Sequence, residues 1–206
     1  PPMAILISHE TNAVIQGMTG QEGQRIFRAM REYGTKVSAG VTPGKGGQDV
    51  DGVPVFNSVA EAVQQFPDMN ASVVSVPPAK ARDAVLEAIE AGIRFIHVIV
   101  ENIPLRDTAY FLAVARTKGV RIVGPASIGI IAPGIGRVGI IGGFDPDEIY
   151  QPGPIGIISR SGGMANELAW MVRQAGLGQS TAIGIGGDYL IGTTYGDLLQ
   201  EFERDP

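Results

Sequence analysis

Short apolar runs alternate along this chain with longer stretches in which apolar residues return every three or four positions. Residues 4–7, 13–15, 36–39, 53–56, 71–76, 95–100 and 121–123 are runs of the first kind and read as strands. Residues 24–33 are of the second kind, with Ile26, Phe27, Met30 and Tyr33 along one face, and residues 79–91 and 105–118 follow suit. Ser58 followed by Glu61 predicts a capped helix running to Gln65. Gly92 and Gly119 close the two later helices. Strands alternating with helices of this length predict an α/β fold, a parallel sheet covered on both faces. The turns at 17–23, 42–47, 77–79 and 101–104 all follow strands, so they are expected to gather on one rim, where such sheets bind ligands.

The pattern then changes. Residues 132–147 are rich in Gly and Pro and read as a linker, with a short β-ribbon at 138–141. A new unit follows: a strand at 153–158, a turn at 159–163, a helix at 164–174, a strand at 181–185 and a helix at 194–203. Two strand–helix pairs are too few to cover a doubly wound sheet, so the chain is expected to continue past Pro206. The expected organisation is one domain at 1–131, a linker or ribbon at 132–152, and the first part of a second domain at 153–206.

Composition narrows the function. The 206 residues carry a net charge of −5, which argues against a broad basic face for nucleic acid or an anionic membrane; any phosphate site must be local. There are no cysteines, so disulfides, thiolate metal sites and Cys nucleophiles are excluded. No run approaches the ~18 apolar residues of a membrane span, and a cytoplasmic location is the expectation. The 29 glycines punctuate strand ends rather than forming low-complexity tracts.

Three of them, Gly17, Gly20 and Gly23, lie between a strand and a helix. Glycines let a backbone approach phosphates, and a helix N-terminus presents free N–H groups there. The spacing is one residue off the dinucleotide fingerprint. The acidic residue that would hold a ribose at the end of the second strand is missing: the chain reads Ala39-Gly40-Val41-Thr42. Lys45 arrives instead, inside Pro43-Gly44-Lys45-Gly46-Gly47, and a lysine there suits an additional phosphate. The pair of loops points away from NAD and toward coenzyme A or NADP. The later turn, Ser159-Arg160-Ser161-Gly162-Gly163, offers a second anion site or a simple N-cap. Asn166 is placed to reach a ligand there. His97 reads as a hydrogen-bonded core residue and His9 as a surface one; no Ser/His/Asp set and no metal cluster is evident.

Gln16-Gly-Met-Thr-Gly-Gln-Glu-Gly23, Tyr33-Gly-Thr-Lys36, Gly40-Val-Thr-Pro-Gly-Lys-Gly-Gly47, Val53-Pro-Val-Phe56, Glu101-Asn-Ile-Pro104, Ser159-Arg-Ser-Gly162 and Gly184-Ile-Gly-Gly-Asp188 together resemble the α subunits of succinyl-CoA synthetase and its relatives, over essentially the whole chain. The resemblance implies a Rossmann-like CoA-binding domain followed by a flavodoxin-like domain, here truncated. It implies an NDP-forming ligase that joins a di- or tricarboxylate to CoA through a phosphohistidine and an acyl phosphate. It also implies a β subunit whose ATP-grasp domain holds ATP or GTP and Mg. Carried over by motif, Thr19, Gly20, Gln21, Glu22, Pro43, Lys45, Ile99, Val100 and Glu101 would bind CoA. Ser161, Gly162 and Gly163 would bind the phosphoryl group, with Asn166 at the acid. The phosphohistidine motif is expected beyond Pro206, so the chain alone is expected not to catalyse. Gly124-Pro-Ala-Ser-Ile-Gly129 and Ser161-Gly-Gly-Met-Ala-Asn-Glu167 look more like the ATP-citrate lyase and citryl-CoA synthetase branch, whereas Tyr33-Gly-Thr-Lys36 and the Pro43-Gly-Lys-Gly-Gly47 loop are closer to the succinate branch, so the acid stays open between citrate and succinate, with citrate slightly ahead on the site residues. The alternative is a CoA-binding regulator without catalytic activity.

Overall fold

The computed structural model describes residues 4–205. Its first sheet is built from β1 (Asn12–Gln16), β2 (Lys36–Val41), β3 (Asp49–Val50), β4 (Val53–Phe56), β5 (Ala71–Val74), β6 (Phe95–Val98) and β7 (Arg121–Val123), in the spatial order 3-4-2-1-5-6-7. All neighbours are parallel except the short β3, which folds back antiparallel on β4. Leaving β3 aside, the order reverses between β1 and β5, the topology of a Rossmann-like nucleotide-binding sheet. β1 is buried along its whole length, which is why its centre, residues 13–15, is continuously apolar rather than alternating, while the buried Asn12 and Gln16 side chains at its ends are hydrogen-bonded.

Helices α1 (Gln21–Glu32), α2 (Val59–Gln65), α3 (Pro78–Glu90) and α4 (Leu105–Lys118) connect these strands. Gly23, Ile26, Phe27 and Met30 line the buried face of α1, each apolar side chain contributing roughly 1.5–3 kcal/mol by leaving water. Arg31 lies 4.7 Å over the Phe27 ring. Gly119 closes α4 in the left-handed conformation, as its position in the sequence indicates. The α2 capping box is half formed. Ser58 accepts from the Glu61 amide, but the Glu61 carboxylate turns to the amide of Asn57.

The second sheet has the order 10-11-8-9 and consists of β8 (Gly129–Ala132), β9 (Gly136–Gly139), β10 (Pro152–Ser159) and β11 (Gln179–Gly184). β10 and β11 are parallel; β8 joins β11 antiparallel and carries β9 in a hairpin. Helices α5 (Gly162–Gln174) and α6 (Tyr195–Phe202) pack on this sheet. The ribbon expected at 138–141 is thus a hairpin over 129–139 that belongs to the second sheet. Its close pairing requires glycine: a Cβ on Gly129 would sit 1.9 Å from the Val138 carbonyl oxygen.

Residues 4–7, expected as a strand, are not one. Leu6 has a φ of 67° and the Ile5 amide donates to Thr181 Oγ1 on β11 instead of to a ladder. The segment is apolar because Ile5 and Ile7 are buried against the second sheet. One cluster of buried side chains holds Ala13, Ile15, Ala71 and Val73 of the first sheet together with Ile130, Val138 and Ile183 of the second, so the two sheets share a core.

Candidate functional site

The turn after β1 is fixed by contacts only glycine permits. Gly17 has a φ of 90° and donates its amide to Val41 O at 2.8 Å; a Cβ there would meet the Ser75 carbonyl oxygen at 2.0 Å. A Cβ on Gly23 would meet the Gly17 oxygen at 2.2 Å. These two glycines press α1 onto the loops that end β1 and β5, at the reversal of strand order. Gly20 is the N-cap residue of α1 and supplies no side-chain cap. The first-turn amides of α1 therefore lack an internal partner, and they carry the positive end of the helix dipole.

α1 begins at Gln21, three residues earlier than its apolar periodicity indicates. Gln21 and Glu22 thus lie in its first turn rather than in the loop. Glu22 forms a two-pronged ion pair with Arg25 (2.6 and 3.0 Å), which offsets the carboxylate at the place where phosphates are expected.

A cleft of about 520 Å³ opens beside this turn. Its walls are Gly20–Gly23 and Arg25 of α1, residues 75–78 after β5, Ile99, Val100 and Glu101 after β6, and residues 126–128 after β7, with Ile140. Six of the residues nominated from the sequence, Gly20, Gln21, Glu22, Ile99, Val100 and Glu101, thus share one cleft. Thr19, Pro43 and Lys45 do not line it. Thr19 joins the two glycine-rich loops: its hydroxyl and amide lie 3.1 and 3.4 Å from Thr42 Oγ1. Pro43 and Lys45 sit exposed on the second loop. Asn57, which sequence reasoning passed over, holds that loop by accepting from the amides of Gly44 (2.9 Å) and Gly46 (3.0 Å). Next to the capping Ser58 it carries no signal distinct from an ordinary turn residue.

The second nominated site lies at the start of α5. Ser161 caps the helix, accepting weakly from the Met164 amide at 3.4 Å. A Cβ on Gly162 would strike Ile128, whose side chain also lines the first cleft, whereas a Cβ on Gly163 would meet nothing within 4 Å. One side chain therefore separates this helix terminus from the first cleft.

Two expected members are turned elsewhere. Arg160 donates to the carbonyls of Gly186 and Asp188, so its guanidinium holds the β11 loop instead of an anion. Asn166 Oδ1 accepts from the Gly142 amide (3.1 Å) and the Tyr150 hydroxyl (2.9 Å). Its carbonyl oxygen is taken up in fastening residues 142–150 to α5.

His97 is fully buried on β6, as expected of a core histidine, with Nε2 3.0 Å from Ser127 O and 3.1 Å from Ser127 Oγ. Burial lowers its pKa to about 4, so the ring is neutral near pH 7. Ser127 Oγ also donates to Gly184 O and accepts from Gly129 N, a polar stitch between the sheets. His9 is exposed. Among the described residues no group of three or more His, Cys, Asp or Glu comes together as a metal site, and no helix is long and apolar enough to cross a membrane.

A Rossmann-like sheet with an uncapped helix N-terminus at its switch point, followed by a second sheet whose helix begins beside the same cleft, defines a two-part nucleotide-cofactor protein. Comparison with known families makes this specific. Residues 8–102 match the CoA binding domain and residues 158–206 match the CoA-ligase domain. The chain is 47% identical over 203 residues to the succinate–CoA ligase [ADP-forming] subunit alpha 2 of Archaeoglobus fulgidus, covering 98% of this chain and 69% of that protein. It is 42% identical over 208 residues to the malate–CoA ligase subunit alpha of Methylorubrum extorquens, covering 99% and 69%. Among solved structures, ATP citrate lyase from Methanothrix soehngenii in complex with citrate and coenzyme A superposes with a TM-score of 0.85 at 27% identity, over 98% of this chain and 35% of the lyase. The chain belongs to the family of ADP-forming acid–CoA ligase α subunits. It spans about two thirds of the length of its curated relatives (69%, 66% and 67% for three of them).

Proposed function

We propose that this chain is the CoA-holding part of an acid–CoA ligase, working in the cytoplasm with a β subunit whose ATP-grasp domain supplies ATP or GTP and Mg. The carrying observation is the uncapped α1 terminus opening into a 520 Å³ cleft lined from the ends of β5, β6 and β7. The amides of Gln21 and Glu22 and the side chain of Gln21 hold the CoA diphosphate. Lys45, Pro43 and Thr19 hold the nucleotide end on the neighbouring loop. Ile99, Val100 and Glu101 guide the pantetheine arm across the cleft toward Ile128. Beyond Ile128 the amides of Gly162 and Gly163, with the Ser161 hydroxyl, receive the phosphoryl group of the acyl phosphate as the CoA thiolate attacks the acyl carbon and inorganic phosphate leaves. The phosphorylated histidine is supplied by the segment that follows residue 206 in the full-length subunit.

For the acid we propose a C4 dicarboxylate such as succinate or malate. Of the residues that favoured citrate, Asn166 was the one placed at the acid, and its oxygen is engaged by Gly142 and Tyr150. Relatives at 47% and 42% identity are named for succinate and malate. The test is a coupled assay of the full-length subunit with its β partner, following ADP release with succinate, malate and citrate in turn. CoA-dependent ADP release with a dicarboxylate is expected; turnover with citrate alone overturns the choice of acid, and no CoA-dependent turnover with any acid overturns the ligase reading.

A further inference from the structure

A second cleft, of about 400 Å³, lies on the other side of the α1 N-terminus, between that helix and the loop after β9. Arg25 and Arg28 of α1 and Arg137 of β9 line it, with Phe144 (97% exposed) beside it; Glu32 is its one carboxylate.

Arg137 is the unusual member. It is 2% exposed, yet it has no ion pair among the described residues. Its Nη2 donates to Gly143 O at 2.7 Å, and its buried Nε has no partner. A buried cation without a counter-charge is strongly unfavourable. Burial pushes its pKa down, and among the described residues no carboxylate lies within ion-pair distance to offset that. Tyr33 and Tyr150 have their pKa values raised by burial and are neutral, and the exposed Glu32 opposes the loss only from a distance. Arg25 and Arg28 pair with Glu22 and Asp51, but the four side chains are 39–50% exposed, so those pairs are weak and free to re-form around a ligand.

We propose that this cleft binds a small oxyanion, a phosphate or a short carboxylate, with Arg137 as the buried counter-charge and Arg28 and Arg25 at the rim, at a site separate from the CoA cleft. The two clefts share Gln21, Arg25 and Ile140 as a common wall, so an anion here is placed to report on, or adjust, the α1 terminus. The inference stands whether or not the neighbouring cleft takes CoA.

The test is thermal unfolding of the 206-residue chain in rising inorganic phosphate, at ionic strength held constant with chloride, and in parallel with succinate. A saturable rise in Tm of about 5 °C or more at roughly a hundredfold excess over Kd is expected for one or both anions, and the lower midpoint identifies the source. Arg137→Met is expected to lose the response while its anion-free Tm stays at or above that of the parent, because an uncompensated buried charge is gone. Arg28→Ala, on the exposed rim, is expected to keep the parent's anion-free Tm and to raise the midpoint about threefold or more; it carries the test alone if the Met variant fails to fold. Three results overturn the proposal: no saturable response beyond the chloride control, a response unchanged in both variants, which would belong to the α5 terminus, or a response abolished by saturating CoA, which would belong to the first cleft.

Discussion

Gly23 and Gly163 both stand in the first turn of a helix, and both came forward from the sequence as parts of glycine-rich turns, but their surroundings differ. A Cβ at 23 meets backbone at 2.2 Å, while a Cβ at 163 meets nothing within 4 Å. Gly23→Ala is therefore expected to cost about 1–3 kcal/mol in urea denaturation, because α1 must move off the β1 loop, and to weaken CoA binding with it. Gly163→Ala is expected to fold at least as well as the parent, within about 1 kcal/mol on the stabilising side, since alanine is the better helix former. Periodicity and motif spacing cannot separate the two; only the distance to Gly17 does. Arg137 was invisible for a related reason. It falls in the Gly- and Pro-rich stretch read as a linker, just before the ribbon expected at 138–141, and its burial depends on how the second sheet meets α1.

At the level of elements, Asn166 and His97 link parts that are distant in sequence. Asn166 fastens the 142–150 loop to α5, so Asn166→Ala leaves the Tyr150 hydroxyl and the Gly142 amide without their acceptor. It is expected to destabilise the chain by about 1–3 kcal/mol while leaving CoA affinity within about twofold, measured by denaturation and by titration of the same variant. A contact made only to the acid would instead leave stability untouched. His97 ties β6 to the β11 region through Ser127. Its folded pKa, about 4, lies below the unfolded value of 6.5, so the unfolded chain binds the proton first as pH falls. The contribution of His97 is thus fully present above pH 6.5 and is lost between pH 6.5 and 4, at up to ~1.4 kcal/mol per pH unit. Chemical denaturation at pH 7, 6 and 5 checks this; a His97→Gln variant that folds should show a flatter dependence across that window.

Over the whole molecule, the strand–helix alternation through residue 123 was legible because the buried parallel strands are short, mostly apolar runs, broken only by single polar residues such as Ser72 and His97, and the helices between them carry an apolar face. Two places were not. Residues 4–7 are apolar like a strand but are buried against the second sheet without a ladder, and residues 129–139 look like a linker because their glycines are needed for close antiparallel pairing. The candidate cleft was readable as a set of turns following strands. The placement of the Lys45 loop outside that cleft was not, since it depends on Thr19 meeting Thr42 and on Asn57 holding the loop. The account's central claim is that the α1 terminus and the Lys45 loop hold CoA. Calorimetric titration of CoA into this chain, with NAD and the Lys45→Ala variant alongside, tests it most directly. Saturable 1:1 CoA binding, no comparable NAD binding, and an affinity about tenfold lower in Lys45→Ala are predicted. The absence of CoA heat, or NAD binding as tightly as CoA, would contradict it.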